Sequence, residues 1–197
     1  MKLKCSFELV DRTIFLRDFM ECYFHGNLSS AIDMLSKSVD NKEFRAEMLA
    51  AKCYFDLQKP KRATVGSAGY DFFFPFRLTI PEGMTVRIPT GIVWKTDELE
   101  DTYGLFLYPR SSLGIHYTLR EPNGVSVIDA DYYGNSSNGG HIFVNLRNEG
   151  HNGSCVIQPN KGYVQGVIQP IYLVDDDDTT NVRTGGSGST DSQKLSF

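Results

Sequence analysis

From about Arg62 to Val174 the chain is written in short apolar runs, each broken by proline, glycine or asparagine. The runs fall at residues 72–74, 78–80, 86–88, 92–94, 105–108, 142–146 and 164–168. β-Branched and aromatic side chains dominate them, and these suit a pleated, half-buried surface. Many short strands at even spacing predict a mainly β fold, a distorted barrel or jelly-roll-like sandwich. Phe7, Leu9 and Val10 supply a first strand ahead of this region.

Between that first strand and the β-rich region the period changes. Over residues 11–57 apolar side chains recur at helical spacing, as at Phe44, Met48, Ala51 and Phe55, with Glu47, Leu49 and Lys52 as good helix formers between them. Two or three short helices are predicted. Gly26-Asn27 reads as a stop, Ser29 or Ser30 as a start, and Asn41 as a further cap. Phe15, Phe19, Met20 and Tyr23 form a second stripe, which suits either packed core or a protein partner. Lys59-Pro60-Lys61-Arg62 ends the helical part. The chain thus divides into a β domain (residues 1–10 and 59–182), a helical insertion (11–58) and a glycine-rich C-terminal arm (183–197).

The 197 residues suffice for a real core. A formal charge of −4, with both signs mixed along the chain, gives no reason to expect a nucleic-acid partner. Cys5, Cys22, Cys53 and Cys155 have no Cys-x-x-Cys spacing and form no ligand cluster with His25, His116, His141 or His151. Reduced thiols in a cytoplasmic protein are expected, with no structural metal. The first residues lack an apolar signal region, and no run approaches a membrane span, so a soluble, unprocessed protein is expected.

The chemistry concentrates in Asn123-Gly124-Val125-Ser126-Val127-Ile128-Asp129-Ala130-Asp131-Tyr132-Tyr133-Gly134-Asn135. Val125, Val127 and Ile128 read as a buried strand delivering two carboxylates and an aromatic pair to its end. Asp129, behind two β-branched residues, would stand on a stiff, part-buried backbone and could serve as general base toward a water. Tyr132 offers a flat face to a sugar or base. The same letters also fit a strand ending in a solvated Asp-Ala-Asp turn. Residues 175–178 are four aspartates, which suit a solvated spacer or a Ca²⁺ site, though they lack the glycine-bent loop of a calcium hand. Arg183-Thr184-Gly185-Gly186-Ser187-Gly188-Ser189-Thr190 supplies backbone N–H groups, hydroxyls and a guanidinium fork suited to phosphate oxygens, although linkers share this composition.

Four further stretches line up with these: Ala68-Gly69-Tyr70-Asp71, Pro109-Arg110-Ser111-Ser112-Leu113-Gly114, Tyr163-Val164-Gln165-Gly166 and the glycine-rich tail. In this order, on a β-rich chain, they resemble the five motifs of the trimeric dUTP pyrophosphatases, the dUTPases, closest in flavour to the Gram-positive and phage type. The resemblance covers roughly residues 62–190 plus the first strand, and the helical insertion lies outside it. It implies hydrolysis of dUTP to dUMP and pyrophosphate, with Mg²⁺ carried mainly on the substrate's phosphates and water, in a homotrimer whose active sites are shared between subunits. Asp129 matches the carboxylate that activates the attacking water, and Tyr132 the aromatic that packs on the deoxyribose. Asn123 falls in the hairpin that reads uracil. Arg110, Ser111 and Gln165 match phosphate contacts, with Ser112 a neighbouring donor, and Asp71 matches a supporting carboxylate. Arg183, Gly185, Gly186, Gly188, Ser189 and Thr190 match the arm that closes over the γ-phosphate.

Three positions depart from the pattern: Ser187 replaces a base-stacking Phe, Ser126 a usual Gly beside the base pocket, and Gly162 a common Arg. Two other functions compete. A dCTP deaminase shares a related fold, but its essential Glu falls at Asn145, and an amide cannot shuttle a proton. A nucleotide-binding regulator would keep the fold and hold a protein partner on the helical insertion.

Overall fold

The computed structural model describes residues 4–32, 41–96, 103–180, 183 and 185. Its strands in chain order are β1 (Cys5–Leu9), β2 (Tyr70–Phe73), β3 (Leu78–Ile80), β4 (Thr85–Pro89), β5 (Ile92–Thr96), β6 (Tyr103–Pro109), β7 (Leu119–Arg120), β8 (Ser126–Ile128), β9 (Phe143–Asn148), β10 (Cys155–Ile157) and β11 (Gly162–Pro170). The helices are α1 (Arg12–His25), α2 (Leu28–Ala31), α3 (Lys42–Phe55) and α4 (Ser111–Tyr117), and a 3₁₀ turn spans Ala130–Tyr132. The fold is mainly β, as expected. Every strand pairing is antiparallel: β2-β11-β6-β8 form one sheet, β4-β9-β7 a second, and β1-β5 and β10-β3 two ribbons. These are jelly-roll-like sheets and do not form a closed barrel.

Alternation explains the sheets. In β9 every second residue, Val144, Leu146 and Asn148, points inward, and in β4 Val86 and Ile88 meet them. Helix boundaries follow capping chemistry. Asp11 accepts from Thr13 N at 2.8 Å and opens α1, and Gly26 closes it. Asn41 accepts from Glu43 N at 3.0 Å and Phe44 N at 3.1 Å and opens α3. α2 starts at Leu28 behind Asn27, which adopts a left-handed conformation, so neither Ser29 nor Ser30 is the cap.

The helices share one core with the sheets. Phe15, Phe19 and Tyr23 of α1 are buried beside Ile88, Leu105 and Val144, which makes that stripe core and not a partner surface. α3 departs from the sequence pattern. Its buried face is Ala46, Leu49, Ala50 and Cys53, while Phe44, Met48 and Phe55 are 52%, 55% and 89% exposed. Small residues let α3 lie close against α1, and the larger apolar side chains are left outside. The aspartates at residues 175–178 are exposed, and the described residues contain no group of three or more His, Cys, Asp or Glu side chains able to hold a metal ion. No helix among the described residues is long and apolar enough to cross a membrane.

Candidate functional site

β8 pairs along β6, with Ile128 opposite Leu105 and Ser126 opposite Leu107, and at its end the chain turns into the 3₁₀ segment. Asp129 stands at that junction and makes no capping bond of its own, so its carboxylate is available to another group. The taker is Arg183, which bonds the Asp129 carboxylate and donates from Nε to Asp131 Oδ1 at 2.9 Å. The same guanidinium lies 5.7 Å from the Tyr132 ring centroid. One guanidinium thus bridges two carboxylates with one charge-assisted hydrogen bond to each.

A cavity of about 220 Å³ lies in front of Asp129. Asn123, Ser126, Val127 and Ile128 line one side, Tyr132 and Arg183 contribute, and Arg87, Phe143 and Asn145 come from β4 and β9. Arg87 and Asn145 are register partners, and the Arg87 guanidinium lies 4.2 Å over the Phe143 ring. Tyr132 is buried, whereas β8 is an edge strand with Val127 52% exposed, so the expected buried strand is not what delivers Asp129. The Asp129 side chain is 53% exposed, not part-buried as expected, because the strand ahead of it has only one neighbour.

A second group of the expected residues gathers elsewhere. Asp71 is buried and pairs with Arg110 Nε at 3.5 Å. Gln165 sits opposite Asp71 on one side of β11 and opposite Tyr108 on the other, and Arg110 N donates to Tyr163 O at 3.2 Å. Ser111 and Ser112 follow, exposed, in the first turn of α4. Gly162 has a local reason: a Cβ there would lie 3.0 Å from Arg110 Cδ and 3.1 Å from Asp71 Cβ, so a side chain would displace the pair.

The two groups stand at opposite ends of β6. Asp129 follows the residue opposite Leu105, while Arg110 follows Pro109, which places them roughly 20 Å apart at strand rise. None of Asp71, Arg110, Ser111, Ser112 or Gln165 lines the cavity that Asp129 and Tyr132 line. Gly185 is described beside Arg183, while Gly186, Ser187, Gly188, Ser189 and Thr190 lie outside the described residues.

The sequence model of the dUTPase family matches residues 56–190. The chain belongs to the dUTPase family. It is 38% identical over 133 residues to the deoxyuridine 5'-triphosphate nucleotidohydrolase of Lactococcus lactis, covering 66% of this chain and 86% of that protein. It is 36% identical over 138 residues to the one of Desulfitobacterium hafniense, covering 66% of this chain and 85% of the relative. The solved dUTPase of Streptococcus mutans superposes with a TM-score of 0.51 at 38% identity, over 59% of this chain and 88% of that one. The dUTPase match begins where α3 ends, leaving α1, α2 and α3 ahead of it.

Within this dUTPase chain three cavity residues carry weak sequence signals. Arg87 and Phe143 were legible only as a basic residue inside an apolar strand and as one apolar residue among many. Asn145 stands out in the sequence only as the residue at a deaminase's glutamate position. Glu121 carries no signal in the sequence: it is 3% exposed, its Oε2 accepts from the Ser126 hydroxyl, and its Oε1 has no hydrogen-bond partner among the described residues. Burial pushes its carboxyl up to about 7, against the smaller opposing effect of the Ser126 bond. Ser126 in place of glycine is therefore coupled to an acidic residue five positions earlier in the chain.

Proposed function

We propose that this protein hydrolyses dUTP to dUMP and pyrophosphate, with Asp129 as the base that takes a proton from the attacking water. The observation that carries the reading is Asp129 and Tyr132 lining one cavity with the hairpin residues Asn123 and Ser126. Tyr132 would carry the deoxyribose and the hairpin the uracil. Arg183 neutralises Asp129 and Asp131. An arriving triphosphate competes for that guanidinium, which leaves Asp129 free to accept a proton and moves Arg183 onto phosphate oxygens. Phosphoryl substitution needs positioning and charge neutralisation above all, and Arg110, Ser111, Ser112, Gln165 and the arm residues Gly185, Gly186, Gly188, Ser189 and Thr190 would supply donors.

The roughly 20 Å between Asp129 and Arg110 along β6 cannot be spanned within one bound nucleotide's reacting region, which supports a homotrimer in which one copy brings the cavity and another the Asp71–Arg110–Gln165 group. The described residues hold no group of three or more His, Cys, Asp or Glu side chains able to cage a metal ion, so the donor set suits a Mg²⁺ ion that arrives on the triphosphate with its own waters. Such an ion would neutralise phosphate charge. The four free cysteines, three of them buried, support a reducing, cytoplasmic setting. Residues 11–58 are read as a helical insertion in the dUTPase domain and residues 183–197 as its arm.

One observation favours a regulator instead, namely the exposed Phe44, Met48 and Phe55 on α3, which could hold a protein partner. Pyrophosphate release from dUTP, dCTP, dTTP and UTP with Mg²⁺ separates the readings. Rapid release from dUTP alone, lost in Asp129→Asn by about 10²–10⁴-fold, is expected. Binding of dUTP without turnover by the native protein would overturn the enzymatic reading in favour of the regulator.

A further inference from the structure

α1 and its Gly26 cap meet Arg87 of the cavity wall and, behind Tyr132 and Phe143, Gly139 and His141. Near its start, Ile14 Cδ1 lies 3.0 Å from where a Cβ on Gly139 would stand, and Gly139 has φ +65°, so glycine alone lets the helix approach the loop behind Tyr132. At its end, Gly26 O accepts from Arg87 N at 2.9 Å. Between them Asp18, 6% exposed, faces His141, which is fully buried.

The Asp18–His141 contact is defined in detail. Gly91 N donates to His141 Nε2 at 2.9 Å, so that nitrogen is an acceptor and the ring proton sits on Nδ1, 2.7 Å from Asp18 Oδ2. Arg17 Nε donates to the other carboxylate oxygen, Asp18 Oδ1, at 2.8 Å. Burial pushes the Asp18 carboxyl up, but the hydrogen bonds from His141 and Arg17 outweigh it and hold it below the ordinary carboxylate range. Burial also holds the imidazole neutral. The pair is a neutral N–H on a carboxylate with both of its ends fixed.

His141 passes this constraint to the cavity. Its carbonyl accepts from the Tyr132 hydroxyl at 3.2 Å and from Asn138 Nδ2 at 3.1 Å, and Asn138 Nδ2 also donates to the Tyr132 hydroxyl at 3.0 Å. Its ring packs 4.6 Å from the ring of Phe143, a cavity wall. We propose that Asp18, on the helical segment ahead of the dUTPase match, is a positioning residue: through His141 it sets the Tyr132 ring on which the sugar packs, and so sharpens selection of a 2′-deoxy sugar. The proposal rests on the reading of Tyr132 as the sugar platform. It gives the added helices a role inside the active site. Removing the carboxylate would leave the buried His141 N–H without an acceptor, and the carbonyl that holds Tyr132 would shift with it.

The test compares kcat/KM for dUTP and for UTP in the full-length native protein, in Asp18→Ala, in Asp18→Asn and in Leu49→Ala. Loss of folded protein cancels in the dUTP/UTP ratio, so a merely structural role does not move it. Asp18→Ala is expected to lower the ratio about tenfold, with KM for dUTP rising more than kcat falls. Asp18→Asn keeps an oxygen acceptor for His141 Nδ1–H and is expected to restore most of the ratio. Leu49→Ala empties part of the helical core without touching His141, so its Tm falls and its ratio stays. An unchanged ratio in Asp18→Ala, or an equal loss in Leu49→Ala, would overturn the proposal alone. Native protein that hydrolyses neither nucleotide would overturn the functional reading beneath it.

Discussion

Asp129 and Asp131 share the Arg183 guanidinium, so a change at any of the three acts on the other two. On the proposed mechanism Arg183→Ala frees Asp129 and at the same time removes a donor for the phosphates. Since transition-state charge is the larger demand, kcat for dUTP should fall about 10²-fold, and steady-state pyrophosphate release measures it. Glu121 allows a separate test by pH. Its folded carboxyl titrates at about 7 against an ordinary 4.5. Across that window the unfolded chain ionises while the folded one keeps its proton, so stability is greatest at the acid end and falls as pH rises, by about 3 kcal/mol. Glu121→Gln cannot ionise and still offers Ser126 an acceptor. Urea midpoints at about pH 5 and about pH 7.5 should differ less in this variant than in the native protein. At this scale the motif residues were legible because short polar words carry them, whereas Glu121 in Leu119-Arg120-Glu121-Pro122 looks like any surface acid. It lies buried between β7, which pairs with β9, and β8, which pairs with β6, so its position depends on two sheets assembled from distant strands.

Among the elements, α3 shows how a right helix can have the wrong face. The spacing of Phe44, Met48, Ala51 and Phe55 is a sound helical stripe, yet the face that packs is Ala46, Leu49, Ala50 and Cys53. Leu49→Ala should therefore cost about 2–4 kcal/mol, while Met48→Ala and Phe55→Ala should each stay within about 0.5 kcal/mol, as thermal or urea unfolding would show. The cysteines give an independent check of the same packing. Burial pushes the Cys22 thiol up to about 12 and Cys155 up to about 11, and Cys53 is raised well above the usual range. A thiol reagent should label the partly exposed Cys5 in the native protein and all four cysteines in urea.

For the whole molecule the decisive geometry is the length of β6, which sets Asp129 near one end and the Asp71–Arg110–Gln165 group at the other. If copies share sites, two inactive variants can complement each other. Asp129→Asn mixed with Arg110→Ala, unfolded together and refolded, should regain a sizeable fraction of activity, because some sites then take an intact carboxylate from one copy and an intact arginine from another. A site completed within one chain would give no recovery.

The β-rich character, the helix ends at Gly26 and Asn41, and the residues of the dUTPase motifs were all readable along the chain, because strand alternation, capping and short motifs are local properties. Which face of α3 packs, the exposure of Asp129 on an edge strand, the burial of Glu121 behind Ser126, the wall of Arg87, Phe143 and Asn145, and the bond from Asp18 to His141 across 123 positions were decided only in three dimensions. Each depends on which distant surfaces meet, and periodicity along a chain gives the phase of an element but not the identity of what packs against it.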